Sequence, residues 1–353
     1  MNPIGILKAI IKEMAGNKDR YVAEPQKDFS RNRKATFYDM MWFLLFIGAN
    51  SMSEEIRRSF NHKDFSYISE AAILKSRSKI KVSAFEQLLR KFNETLENPK
   101  EYRGYRVLAL DGSDFSSLYS AQSEYATISN QYGGANRMHI NFAYDILNKN
   151  FFDCVIEAKN KANERKGAVK MLSSLASSEK ILAIMDRGYD GLKVFEHCNR
   201  IKNLSYLIRI RSGMTKEIKS LPDKELDLDL NFEVREQSKR LPYKMKIQAW
   251  DMELPCRVSF RLVKVKLKDK WLVMETNLQR WKIELAFRDI KHALGALHFH
   301  SKKDLFNVQE FFAHLIRYNL TSRIIRQVRL TKTKNLKYRY EINFKSASQI
   351  GRE

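Results

Sequence analysis

Apolar positions change their spacing twice along the chain, and each change marks a change of element type. Up to about residue 98 the spacing is helical. Thr36 to Ala49 is apolar almost throughout and reads as a buried helix. SMSEEIRRSF begins with the spacing of a capping box, either Ser51 to Glu54 or Ser53 with its neighbours. In KVSAFEQLLRKFNETL the apolar positions Phe85, Leu88, Leu89 and Phe92 line one helix face, with Ser83 as the expected N-cap.

From residue 102 the period becomes that of strands. YRVLALDGS (Tyr105 to Ser113) reads as a strand ending in a turn. MHINFAYDI and FFDCVIEA form a hairpin through the polar loop Leu147-Asn148-Lys149-Asn150. NERKGAVKMLSSL reads as a helix capped by Asn163. ILAIMD (Ile181 to Asp186) is apolar nearly without a break, as a strand covered on both faces should be. A helix (DGLKVFEHCNRI) and a strand (SYLIRIR) follow. The order strand, strand, strand, helix, strand, helix, strand predicts a mixed α/β sheet.

The spacing changes again at about 206. LDLDLNFEV, YKMKIQAW, CRVSFRLVKVKL and KWLVMET alternate, which predicts a β-rich insertion over 206–275. QRWKIELAFRDIKHAL is then the strongest helical signal in the chain. A further helix is expected from Val308 to Arg329, and the tail holds the strand-like KYRYEINF. These boundaries give a helical N-terminal domain (1–100), an α/β domain in two pieces (101–205 and 276–330), the insertion, and a basic tail (331–353).

Charge narrows the function. Sixty-four Lys and Arg against 41 Asp and Glu leave +23, an excess that repels itself in a compact fold and is best explained by a polyanionic partner. Nucleic acid is the leading partner. The bases thicken from Arg317 to Lys345. Arg57, Arg58, Lys75, Arg77, Lys79 and Lys81 mark the N-terminal helices either as a DNA-binding module or as a bundle with solvated charges. Lys8 and Lys12 interrupt the first apolar stretch, so it does not read as a signal peptide. The longest apolar run, Met40 to Ala49, is about half a membrane span, and no membrane partner is expected. Three scattered cysteines, Cys154, Cys198 and Cys256, fit reduced thiols in the cytoplasm. No GxxxxGK[ST] motif implies ATP use. His298 and His300 alternate without a third ligand.

Candidate chemistry lies in the carboxylates. Asp111 and Asp186 each follow an apolar strand and have a glycine close behind, which places them at the carboxyl edge of the sheet, where open α/β sheets bind ligands. Each alone fits a turn or cap equally well; Asp114 and Asp190 compete from just beyond the strand ends. Arg280, Glu284, Arg288 and Lys291 are spaced four, four and three apart, one stripe of a helix, which by itself is also the pattern of a solvated face.

Taken together, LALDGS, AIMDRGYD and RWKIELAFRDIK resemble the DDE transposases of bacterial insertion sequences, in particular the branch with a Tyr-Arg-Glu-Lys signature. The likeness spans roughly residues 30 to 320. It implies an RNase H-like fold for the α/β domain, with Asp111, Asp186 and Glu284 as catalytic residues and ligands of two Mg²⁺ or Mn²⁺ ions. It also implies DNA contacts from Arg280 and Lys291, joined by Arg187 and Arg288, with Tyr189 as a further neighbour and Trp281 packing the helix. DNA would be the partner, as terminal inverted repeats and target, bound by a homodimer in the nucleoid-associated cytoplasm of a bacterium. The chain departs from the signature at Asn277, where the Tyr belongs, and Thr276-Asn277-Leu278 runs almost directly into Gln279-Arg280. Two alternatives therefore stand beside an active enzyme: a degenerate copy that only binds DNA, and another RNase H-like nuclease, against which the Arg-Trp-x-x-Glu spacing argues.

Overall fold

The computed structural model describes residues 2–31, 34–48, 50–60, 68–130, 133–174, 179–210, 216–234, 255–267, 270–274 and 303–328, with positions 342, 344 and 347–348 of the tail. The chain opens with five helices: α1 (Pro3–Gly16), α2 (Phe37–Phe46), α3 (Met52–Phe60), α4 (Glu70–Arg77) and α5 (Val82–Glu94). Thr36 and Asp39 close a reciprocal capping box on α2. The Ser51 hydroxyl accepts the Glu54 amide at 3.3 Å, as its spacing predicts. The expected cap at Ser83 is corrected to Lys81. Val22 and Ile80 form a β-bridge, and the Lys81 amide donates to the Tyr21 carbonyl at 2.8 Å. This tie holds Lys81 extended, so the helix starts at the next residue and Ser83 falls inside its first turn.

The central sheet contains β1 (Arg106–Ser117), β2 (Ala126–Asn130), β3 (Gly133–Asp145), β4 (Asn150–Ala158), β5 (Ile181–Met185) and β6 (Leu204–Ile208). Its order is β2-β3-β1-β5-β6, with β4 also on β3. β1, β3 and β4 meander antiparallel. β5 and β6 join in parallel, each reached through a helical crossover: α6 (Glu164–Ser174) before β5 and α7 (Leu192–Arg200) before β6. Three meandering strands followed by two parallel crossovers make an RNase H-like mixed sheet. Asn163 caps α6 through the Lys166 amide at 3.1 Å, as its sequence indicates. Among the described strands of this sheet, β2 has no counterpart in the sequence pattern.

Both faces of the sheet are covered. Val107, Ala109, Phe115, Phe142 and Phe151 pack with the N-terminal helices and a long late helix. That helix, α9 (Asp304–Gln327), follows the single-turn α8 (Lys216–Lys219). The Phe311 ring lies 5.2 Å from Phe115 and 5.7 Å from Phe142. The Phe151 amide and carbonyl bond Asn319 of α9, at 2.7 and 2.8 Å. On the opposite face, Leu108, Leu110, Ala183 and Met185 pack with α6 and α7. Beyond α7 lies a second sheet, β7 (Leu226–Val234), β8 (Cys256–Leu267) and β9 (Lys270–Met274), antiparallel in that order. Phe195 of α7 meets Phe260 of β8 with centroids 4.9 Å apart.

Several predicted surface bases hold the fold together instead. Arg77 is 1% exposed; it donates to Gln309 Oε1 at 3.1 Å and to the Phe306 carbonyl, and faces Glu310 at 3.8 Å. Burial lowers its pKa to about 10, against the pull of Glu310. Arg323 stacks on Phe92 at 3.9 Å and donates to its carbonyl, and Arg317 is also buried. These side chains cannot contribute to a DNA-facing stripe. Arg57 and Arg58 are exposed but both pair with Glu54 at 2.9 Å.

Candidate active site

Register relates the two candidate aspartates. On the parallel ladder the last rung is Leu110↔Met185, so Asp111 and Asp186 are the residues that follow it on the two neighbouring strands. Asp186 stands where β5 ends. Asp111 does not stand where β1 ends, and that expectation is corrected. β1 continues to Ser117, paired only with β3 through Ser117↔Asn136. What ends beyond Leu110 is its pairing with β5, because the chain after Met185 turns away, with the Tyr189 amide donating to the Asp186 carbonyl at 3.0 Å. A gap therefore opens beside Asp111. Both carboxylates are half-buried. Asp111 Oδ1 accepts the Gly112 amide at 3.0 Å, and Asp186 Oδ1 accepts the Gly188 amide at 2.6 Å.

Next to this gap is a polar pocket of about 300 Å³ lined by His139, Lys159, Asn163, Glu164, Arg165 and Gly188. His139 sits opposite Asp114 in the β1–β3 register, with Nδ1 2.6 Å from Asp114 Oδ1, and Lys159 Nζ is 2.8 Å from Asp114 Oδ2. Burial pushes the Asp114 carboxyl up, but Lys159 and His139 outweigh it, and its pKa falls below the usual value. Glu164, in the first turn of α6, directs Oε1 toward His139 Nε2 at 3.7 Å. The glycines behind the aspartates locate this carboxylate. A Cβ on Gly112 would lie 3.1 Å from Glu164 Oε1, and one on Gly188 would lie 2.9 Å from both Glu164 Oε2 and Asp186 Oδ1. Glu164 thus spans the gap and faces Asp186 over Gly188.

Of the other expected residues, Arg187 is exposed beside Asp186. Tyr189 is fully buried, with its hydroxyl 3.4 Å from Asn141 Oδ1, so it packs the site from inside. Asp190 is buried against Arg165 at 3.2 Å. Arg280, Trp281, Glu284, Arg288, Lys291, His298 and His300 lie outside the described residues. Among the described residues no three His, Cys, Asp or Glu side chains gather closely enough to hold a metal ion, and no helix is long and apolar enough to cross a membrane. Carboxylate oxygens such as those of Asp111 and Asp186 are hard donors of the kind that a divalent cation such as Mg²⁺ takes. Sequence reading passed over His139 and Glu164. Their only signal was position, one on a strand opposite Asp114 and one at the start of a crossover helix.

The family model for the transposase DDE domain matches residues 102–320, more than half of the chain. No curated protein matches it. Among solved structures, the chain is similar to the piggyBac transposase in its synaptic complex with hairpin DNA, seen by cryo-EM. The two are 10% identical, with a TM-score of 0.49 over 99% of this chain and 79% of that one.

Proposed function

This chain belongs to the DDE transposase family, and from that premise we propose that it cuts DNA at the ends of an insertion sequence and joins the freed ends to a target. The observation that supports the reading is that Asp111 and Asp186 directly follow Leu110↔Met185, the last rung of the β1–β5 ladder. Glu284 would complete the set, from the same helical stripe the sequence predicts for Arg280 and Lys291. Two bound Mg²⁺ or Mn²⁺ ions would supply Lewis-acid charge for in-line displacement at phosphorus.

The protein residues divide the remaining work. Asp111, Asp186 and Glu284 offer hard oxygen ligands, and their mutual repulsion favours a cation among them. The glycines behind both aspartates keep the approach to the sheet edge free of side chains. Arg280 and Lys291, with Arg187 and Arg288, contact backbone phosphates, Arg through bidentate hydrogen bonds. The net charge of +23 draws DNA to the protein independently of sequence. Pairing two element ends calls for a homodimer assembled on DNA, acting at the bacterial nucleoid.

A plasmid carrying the element's terminal repeats, incubated with the protein and Mg²⁺, tests the reading. Nicking is expected, and Asp111→Ala, Asp186→Ala and Glu284→Ala should each abolish it while DNA binding persists. Salt-sensitive binding with no cleavage by the unaltered chain would instead mark a degenerate copy.

A further inference from the structure

The Tyr-Arg-Glu-Lys resemblance gives no role to the start of α6, yet that helix delivers Glu164 to the gap between β1 and β5. Its Oε2 and Asp186 Oδ1 lie within 2.9 Å of one point above Gly188, and two carboxylates so placed repel each other unless a cation lies between them. Its first-turn position alone could reflect the favourable interaction of an acid with a helix N-terminus. His139 argues for more. It is 3% exposed, and its Nε2 has no hydrogen-bond partner among the described residues. That nitrogen faces the same pocket as Glu164, 3.7 Å from Oε1. The other ring nitrogen is fixed by Asp114 at 2.6 Å, and Asp114 in turn by Lys159 at 2.8 Å. A buried ring nitrogen held from behind and unpaired in front is poised to orient the group before it.

We propose that Glu164, brought by the crossover helix, holds a divalent cation together with Asp186 above Gly188, and that His139, clamped by Asp114 and Lys159, is the positioning residue that aims it. This inference rests on the assignment of Asp186 to the metal site. It predicts that a bound cation is held between the carboxylates of Glu164 and Asp186.

Mn²⁺ binding to the full-length chain without DNA, followed by electron paramagnetic resonance, tests the proposal independently of cleavage. Glu164→Gln should weaken Mn²⁺ binding about tenfold or more, and His139→Gln should weaken it by a similar factor. Glu164→Asp should restore part of the affinity. Because Glu164 is 42% exposed, its Gln variant should melt with the unaltered protein, so the result does not depend on whether the His139 variant folds. Metal-free DNA binding by Glu164→Gln should be unchanged or tighter, since a negative charge is lost. Unchanged Mn²⁺ affinity in Glu164→Gln, alongside its loss in Asp111→Asn and Asp186→Asn, would overturn the role of Glu164 and leave the active-site reading intact. Unchanged affinity in all of them would overturn both.

Discussion

Gly188→Ala separates site geometry from stability. The new Cβ would stand 2.9 Å from Asp186 Oδ1 and equally near Glu164 Oε2. Ordinary contact begins near 3.5 Å, so one or both carboxylates must retreat by about half an ångström or more. Both obstructing atoms end flexible side chains, and Gly188 does not have the left-handed backbone that penalises a Cβ. The fold should therefore lose no more than about 0.5–1 kcal/mol, the range of substitutions that create no cavity and bury no orphaned group. Chemistry is less forgiving, because a displacement of about 1 Å in a reacting group costs on the order of a hundredfold in rate. A shift of half that size predicts a loss of roughly tenfold to a hundredfold in the first nicking step. The assay pairs single-turnover nicking at saturating Mg²⁺ with a thermal melt and fluorescence anisotropy on the same end-labelled DNA. The expected result is slow nicking with unchanged melting and binding. Full-rate nicking would refute the placement of catalysis at this edge, and a collapsed melt would refute the claim that only side-chain tips are displaced.

Two further predictions concern the scaffold. Arg77→Met should destabilise the protein by about 3–5 kcal/mol in denaturant unfolding, because it leaves Glu310 buried without its cation; adding Glu310→Met should recover part of that, and a double variant costing the sum of the singles would show that the two residues are uncoupled. Burial first, then the opposing carboxylate, raises Glu86 on α5, and burial likewise raises Asp153 on β4. Asp153 in the folded state thus holds its proton to a higher pH than its unfolded value of 3.8, so its contribution to stability is complete below that pH and fades as pH rises through the folded value. Asp153→Asn should flatten the stability profile above pH 3.8 and gain most at neutral pH; a parallel profile in the variant would refute this.

The helices and strands around the central sheet were legible because their signals are local. The alternation in MHINFAYDI, the unbroken apolar run of ILAIMD and the Asn163 cap each depend on neighbours in sequence, and β3, β4, β5 and α6 appear where those signals lie. Strand ends were less legible. Asp111 and Gly112 look like a strand followed by a turn, yet β3 offers β1 a ladder as far as Ser117, and a pairing partner overrides local turn preference. Charge was legible in sum but not in place. Arg77, Arg317 and Arg323 add to +23 yet are buried, because a guanidinium can pay for burial with aromatic stacking and carbonyl hydrogen bonds that only the packed helices provide.

By itself the sequence determined the element types, the basic character and the place of Asp186 at the end of its strand, since periodicity and composition are written residue by residue. Only the tertiary structure decided that Leu110 and Met185 share a rung, and that Glu164 and His139, 25 residues apart on a helix and a strand, face each other across the same gap. Register and helix docking come from the combined burial of both sheet faces, which no single segment encodes.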